Sequence, residues 1–98
     1  MRIAAGLHPH NAKHWGPEIE ERLRALLHDK RTSCLGEIGL DYHYDLSPRE
    51  DQERAFRAQV RIAKEAGLPV MLHVREAHDD ALAIMCDEGW PEAGCILH

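Results

Sequence analysis

The sequence predicts an α/β fold in which βαβ units build a parallel sheet, and three observations carry that reading. Short apolar runs alternate with amphipathic segments along the whole chain. The runs are nearly continuous in apolar or small residues, as expected for strands covered on both faces. Polar residues able to do chemistry stand where the runs end, the place where parallel sheets gather their ligands and catalytic groups.

The strands are predicted at Ile3 to Leu7, Ser33 to Ile38, Val70 to Val74, and Cys95 to Leu97 extending into His98. Between the first two, Ile19, Leu23, Leu26 and Leu27 recur at helical spacing and form one apolar stripe. The second helix is announced by Ser47, Pro48 and Glu50, which read as a capping box with proline at the first helical position. Phe56, Val60 and Ala63 supply its apolar stripe, and Gly67 with Pro69 ends it. In the third helix Ala77, Ala81, Ile84 and Met85 form the stripe, closed by Gly89 and Pro91. This order implies right-handed crossovers in one parallel sheet. It does not separate an open sheet from part of an eight-stranded barrel, but four strands cannot close a barrel, so the fragment is the favoured reading.

At 98 residues the chain fits one domain, able to bury roughly 60–65% of its unfolded surface. With 44% hydrophobic and 30% charged residues it has the balance of a globular protein and not of a disordered one. No apolar run approaches the roughly 20 residues of a membrane span, and no signal-peptide pattern opens the chain, so a cytoplasmic location is expected. Cys34, Cys86 and Cys95 form no CxxC pair, and each is predicted to be a small buried hydrophobe. A net charge of -5 argues against nucleic-acid binding through a broad basic surface.

Histidine is over-represented, with eight in the chain, and several close the apolar runs. The first strand leads to His8 and His10, the second to Glu37 and Asp41, the third to His73 and Arg75, and the fourth to His98. Neighbouring strands lie about 4.8 Å apart, so Glu37, His73 and His98 are expected to converge on one cation at roughly 2.0–2.2 Å. A histidine at a strand end is equally often a hydrogen-bonded structural residue, and His98 reads as a frayed end as readily as a ligand. Glu37 is harder to assign that way, because an uncompensated carboxylate within CLGEIGL carries a large desolvation cost.

The stretch GEIGLDYHYDLSPREDQERAFRAQVRIAKEAGLPVMLHVREAHDDAL, from Gly36 to Leu82, resembles the TatD family of metal-dependent deoxyribonucleases, and AAGLHPH and GCILH extend the likeness. The resemblance implies about half of a TIM (β/α)8 barrel, with residues 1–98 supplying roughly strands two to five and lacking the first strand and the C-terminal half. It implies one or two divalent cations (Mg2+, Mn2+ or Zn2+) and hydrolysis of phosphodiester bonds in DNA, recognised through phosphates with little sequence specificity. Matched residue by residue, it makes Glu37, His73 and His98 metal ligands, with Glu37 and Asp41 catalytic. His8, His10 and Arg75 then face the substrate.

The family's first-strand HxH and later aspartate have no counterpart in this chain. His8-Pro9-His10 can also be read as that HxH, although the likeness aligns it with the second barrel strand. Without those ligands the chain by itself is expected to bind metal weakly and turn over slowly or not at all. Open strand edges predict self-association unless the sheet is completed in trans. Two other readings stay open: an amidohydrolase acting on C–N or ester bonds, although no strand end carries the lysine common there, and a non-catalytic structural or interaction fragment.

Overall fold

The structure, a computed structural model, describes residues 3–97, with side chains described from residue 5 onward. Its elements are β1 (Ile3–Ala5), a 3-10 helix (Pro9–His14), α1 (Pro17–Leu26), β2 (Thr32–Asp41), α2 (Arg49–Ala66), β3 (Val70–Arg75), α3 (His78–Glu88) and β4 (Cys95–Leu97). The strands form one parallel sheet in the order β1-β2-β3-β4, so each helix is a crossover between neighbouring strands. This is the βαβ sheet that the apolar periodicity predicts.

β2 and β3 carry the centre of the core. Leu35, Ile38 and Leu40 of β2 and Val70 and Leu72 of β3 pack against Phe56, Val60, Ile62 and Ala63 of α2, all buried. Complete burial of Phe56 contributes on the order of 1.5–3 kcal/mol. Ala81, Ile84 and Met85 of α3 extend the same cluster. α2 ends as its sequence predicts, with Gly67 in the left-handed region at φ 69°.

Several expectations need correcting. β1 stops at Ala5 rather than Leu7, because a side chain from α2 takes over the Leu7 backbone. β2 runs past Ile38 to Asp41, which brings Asp41 into register with Arg75. Ser47 caps nothing: α2 begins after Pro48, and the Ser47 hydroxyl instead donates to the His10 carbonyl at 2.8 Å and accepts the Lys13 N–H at 3.1 Å. A serine placed to cap a helix is spent on tying that helix's entrance to the 3-10 helix. Leu26 lies 48% exposed, outside the stripe that buries Leu23. Cys34 is buried as expected, but Cys86 and Cys95 are exposed. The β4 edge also leaves Ile96 and Leu97 exposed. His98 falls outside the described residues.

The carboxyl end of α3 is fastened to α2 by charge. Glu88, its side chain 8% exposed, accepts from Arg61 at 2.6 and 2.9 Å and from Arg57 at 2.9 Å, while Lys64 donates to its carbonyl at 2.8 Å. Hydrogen bonds from Arg61 and then Arg57 hold the Glu88 carboxyl down at about 2, from an ordinary 4.5. A carboxyl lowered on folding stabilises fully above its unfolded value and loses that contribution as pH falls through its folded value. Thermal melts of the native chain and Glu88→Gln are therefore expected to differ at neutral pH and to converge between pH 4.5 and about 2. A gap unchanged across that window would contradict the assignment.

Candidate metal and phosphate site

The carboxyl ends of β1, β2 and β3 meet at one rim, where two glycines of β2 let β3 come close. A Cβ on Gly36 would lie 2.5 Å from the Met71 carbonyl oxygen, and one on Gly39 would overlap the His73 carbonyl oxygen. Gly39 also holds φ at 145°, which only glycine adopts readily. Between them the strand register shifts at Glu37, a local irregularity of the kind that re-aims a side chain beside functional sites.

Five of the predicted site residues, Glu37, Asp41, His8, His10 and His73, converge there. Glu37 Oε1 lies 3.6 Å from His8 Nε2 and 3.8 Å from His73 Nδ1. The His8 ring stands 4.3 Å from that of His10 and 4.5 Å from that of His73, centroid to centroid. One nitrogen from each of His8, His10 and His73 lies within 4.8 Å of the others, close enough for the three to hold a metal ion. His8 and His10, expected to face substrate, thus stand among the candidate ligands.

Asp41 organises the cluster from below. Its carboxylate is fully buried, and Oδ2 accepts from Nε2 of both His10 (2.8 Å) and His73 (2.9 Å). Oδ1 accepts the backbone N–H groups of His43 and Tyr44, each at 3.0 Å. Burial works to raise the Asp41 pKa, but the Tyr44 N–H and the two imidazoles outweigh it and hold the group well below the ordinary carboxylate range. An ionised Asp41 requires an N–H on each imidazole nitrogen facing it, which fixes the tautomer. With Nε2 engaged by Asp41, Nδ1 is the His73 nitrogen that faces Glu37.

These side chains could hold a divalent cation. Ligating histidines characteristically give their second N–H to a carboxylate, and here two imidazoles share one. His73 Nδ1 and Glu37 Oε1, 3.8 Å apart, stand where a shared cation would be held by both. Burial is the largest cause that lowers the His8 pKa from its ordinary 6.5, which favours the neutral imidazole, the form that ligates.

Two buried glutamines, which the sequence reading missed, hold the strand ends still. Gln52 takes the Asp41 backbone at both ends, accepting its N–H at 2.8 Å and donating to its carbonyl at 3.2 Å. Gln59 does the same for Leu7, the residue before His8, at 2.6 and 3.2 Å. Both are 1% exposed. They stand seven residues apart on the apolar stripe of α2, and polar amides at stripe positions were the signal that could have found them.

Around the cluster, Arg75 is exposed and stands 5.2 Å from the centroid of the Tyr44 ring. Tyr42 donates its hydroxyl to Asp80 at 3.0 Å and lies under Arg49, tying the loop after β2 to α3. Burial and then Asp80 push that phenol up to about 12.

A family model described as TatD related DNase matches residues 1–98. The 3'-5' ssDNA/RNA exonuclease TatD of Pantoea vagans is 45% identical over 96 residues, which is 96% of this chain and 36% of the relative. Its counterparts in Cronobacter sakazakii and Salmonella typhimurium are 43% and 38% identical, with the same coverage. The chain therefore spans about a third of the length of these curated relatives. The crystal structure of YJJV, a TatD homologue from Escherichia coli K12, superimposes with a TM-score of 0.86 at 31% identity, covering 97% of this chain and 38% of that one. The parallel βαβ sheet agrees with the expected part of a (β/α)8 barrel, and the chain belongs to the TatD-related DNase family.

Proposed function

We propose that this chain supplies strands two to five of a TatD-type barrel, and that its rim takes part in metal-dependent hydrolysis of phosphodiester bonds in single-stranded DNA or RNA. The observation that carries the reading is the convergence of Glu37 with His8, His10 and His73 above the buried Asp41. The relatives named as 3'-5' ssDNA/RNA exonucleases support the substrate class.

Glu37, His73 and the nearby imidazoles would hold a divalent cation, with His98 as a further ligand. A cation bound there supplies Lewis-acid polarisation of a phosphate oxygen and lowers the pKa of water from 15.7 toward about 7. Asp41, read from the sequence as catalytic, would act here by orienting His10 and His73. Arg75, exposed at the same rim, offers its guanidinium to the phosphate and offsets charge developing during bond cleavage. Recognition through phosphate leaves base identity largely unread, and of Mg2+, Mn2+ and Zn2+ the imidazole-rich donor set suits Zn2+ and Mn2+ better than Mg2+.

The test is single-turnover cleavage of an end-labelled single strand by excess protein with Mn2+. Slow release of mononucleotides is expected, abolished by EDTA and reduced about 100-fold or more by Glu37→Gln in a chain that still folds. Cleavage indifferent to EDTA or to Glu37→Gln would overturn the proposal, as would binding neither metal nor oligonucleotide.

A further inference from the structure

Tyr44 stands at the rim with no role in the cluster itself. We infer that its ring is the stacking platform for a nucleobase of the strand whose phosphate reaches the cluster, a role resting on the nuclease reading above. Tyr44 is 55% exposed, so its ring is open to a partner from solvent. Its backbone N–H is bound by Asp41, the carboxylate that also holds His10 and His73, so the ring and the imidazoles share one anchor.

The ring lies 5.6 Å from His10 and 4.8 Å from His43, nearly perpendicular to both, and Arg75 reaches it at 5.2 Å. A base on Tyr44 and its own phosphate beside Arg75 are thus within one nucleotide of each other. The other aromatics are unsuited. Tyr42 is tied through its hydroxyl to Asp80 and is the less exposed of the two tyrosines, Phe56 is fully buried, and Trp15 is buried. Trp90 lies in the connection from α3 to β4, at the amino-terminal end of the strands.

Stacking accepts any base because every base has a π-face, but the base must be unpaired. Tyr44 would therefore favour single strands over duplex without reading sequence.

The experiment compares binding of a fluorescent single-stranded oligothymidylate with an abasic strand of equal length, using Ca2+ to suppress turnover. The native chain is expected to prefer the base-bearing strand by roughly 5- to 150-fold, the range for one stacked base. Tyr44→Ala should erase that preference while leaving abasic affinity unchanged, and Tyr44→Trp should keep it. A preference that survives Tyr44→Ala, or equal binding of both strands by the native chain, overturns the stacking role alone. Failure of the native chain to bind either strand overturns the nuclease reading and this inference with it.

Discussion

Replacing Asp41 with alanine is expected to destabilise the fold by about 3 kcal/mol or more and to release His10 and His73 from a common orientation. The carboxylate is fully buried and accepts four hydrogen bonds, two from imidazoles and two from the backbone N–H groups of His43 and Tyr44. Alanine removes all four acceptor contacts at once and leaves donors facing a space that a methyl group cannot satisfy. A domain of this kind has only roughly 5–15 kcal/mol of stability to lose. Asp41→Asn keeps the shape and one acceptor oxygen, so it should recover part of the stability without restoring the ionic partner for both imidazoles. Urea denaturation reports the first effect and imidazole 15N shifts the second. A loss under about 1 kcal/mol with unchanged shifts would mean that Asp41 organises nothing.

The second large effect is expected at Gly39. Alanine there must hold a backbone at φ 145° and place its Cβ against the His73 carbonyl oxygen of β3. Strain and overpacking, about 1–3 kcal/mol each, together give roughly 2–6 kcal/mol. Gly67→Ala is the control: that glycine also has positive φ, at 69°, but nothing lies within 4 Å of an added Cβ. It should lose only about 1–2 kcal/mol. Equal losses at the two positions would show that conformation alone, and not contact with the His73 strand, sets the requirement.

Much of this architecture was legible in the residues. The apolar runs ending in Glu37, His73 and Arg75 located the parallel strands, and the αL cap at Gly67 closed α2 where the glycine stood. The helix stop was legible because it depends on one residue's conformational freedom. The start of α2 was not, since Ser47 has a better offer from His10 and Lys13 than from its own helix. Such competition is settled by tertiary contacts that no local pattern records. The exposure of Cys86 and Cys95 is of the same kind.

The site divided along similar lines. Strand ends bring chemistry together by topology, so the meeting of Glu37 and His73 followed from the order of elements. The inclusion of His8 and His10 depended on the 3-10 helix Pro9–His14, which turns the chain back over the rim and which apolar periodicity does not mark. The task of Asp41 depended on β2 continuing past Ile38, and the clamps of Gln52 and Gln59 on which way two amides of α2 point.

The central claim is that Glu37 and the surrounding imidazoles form one cation site, and titration with Mn2+ followed by imidazole NMR tests it most directly. Substoichiometric Mn2+ should broaden the resonances of His8, His10, His73 and His98 together, spare His28 in the connection from α1 to β2, and lose this selectivity in Glu37→Gln. Uniform broadening across all the histidines, or selective broadening unchanged in Glu37→Gln, would contradict it.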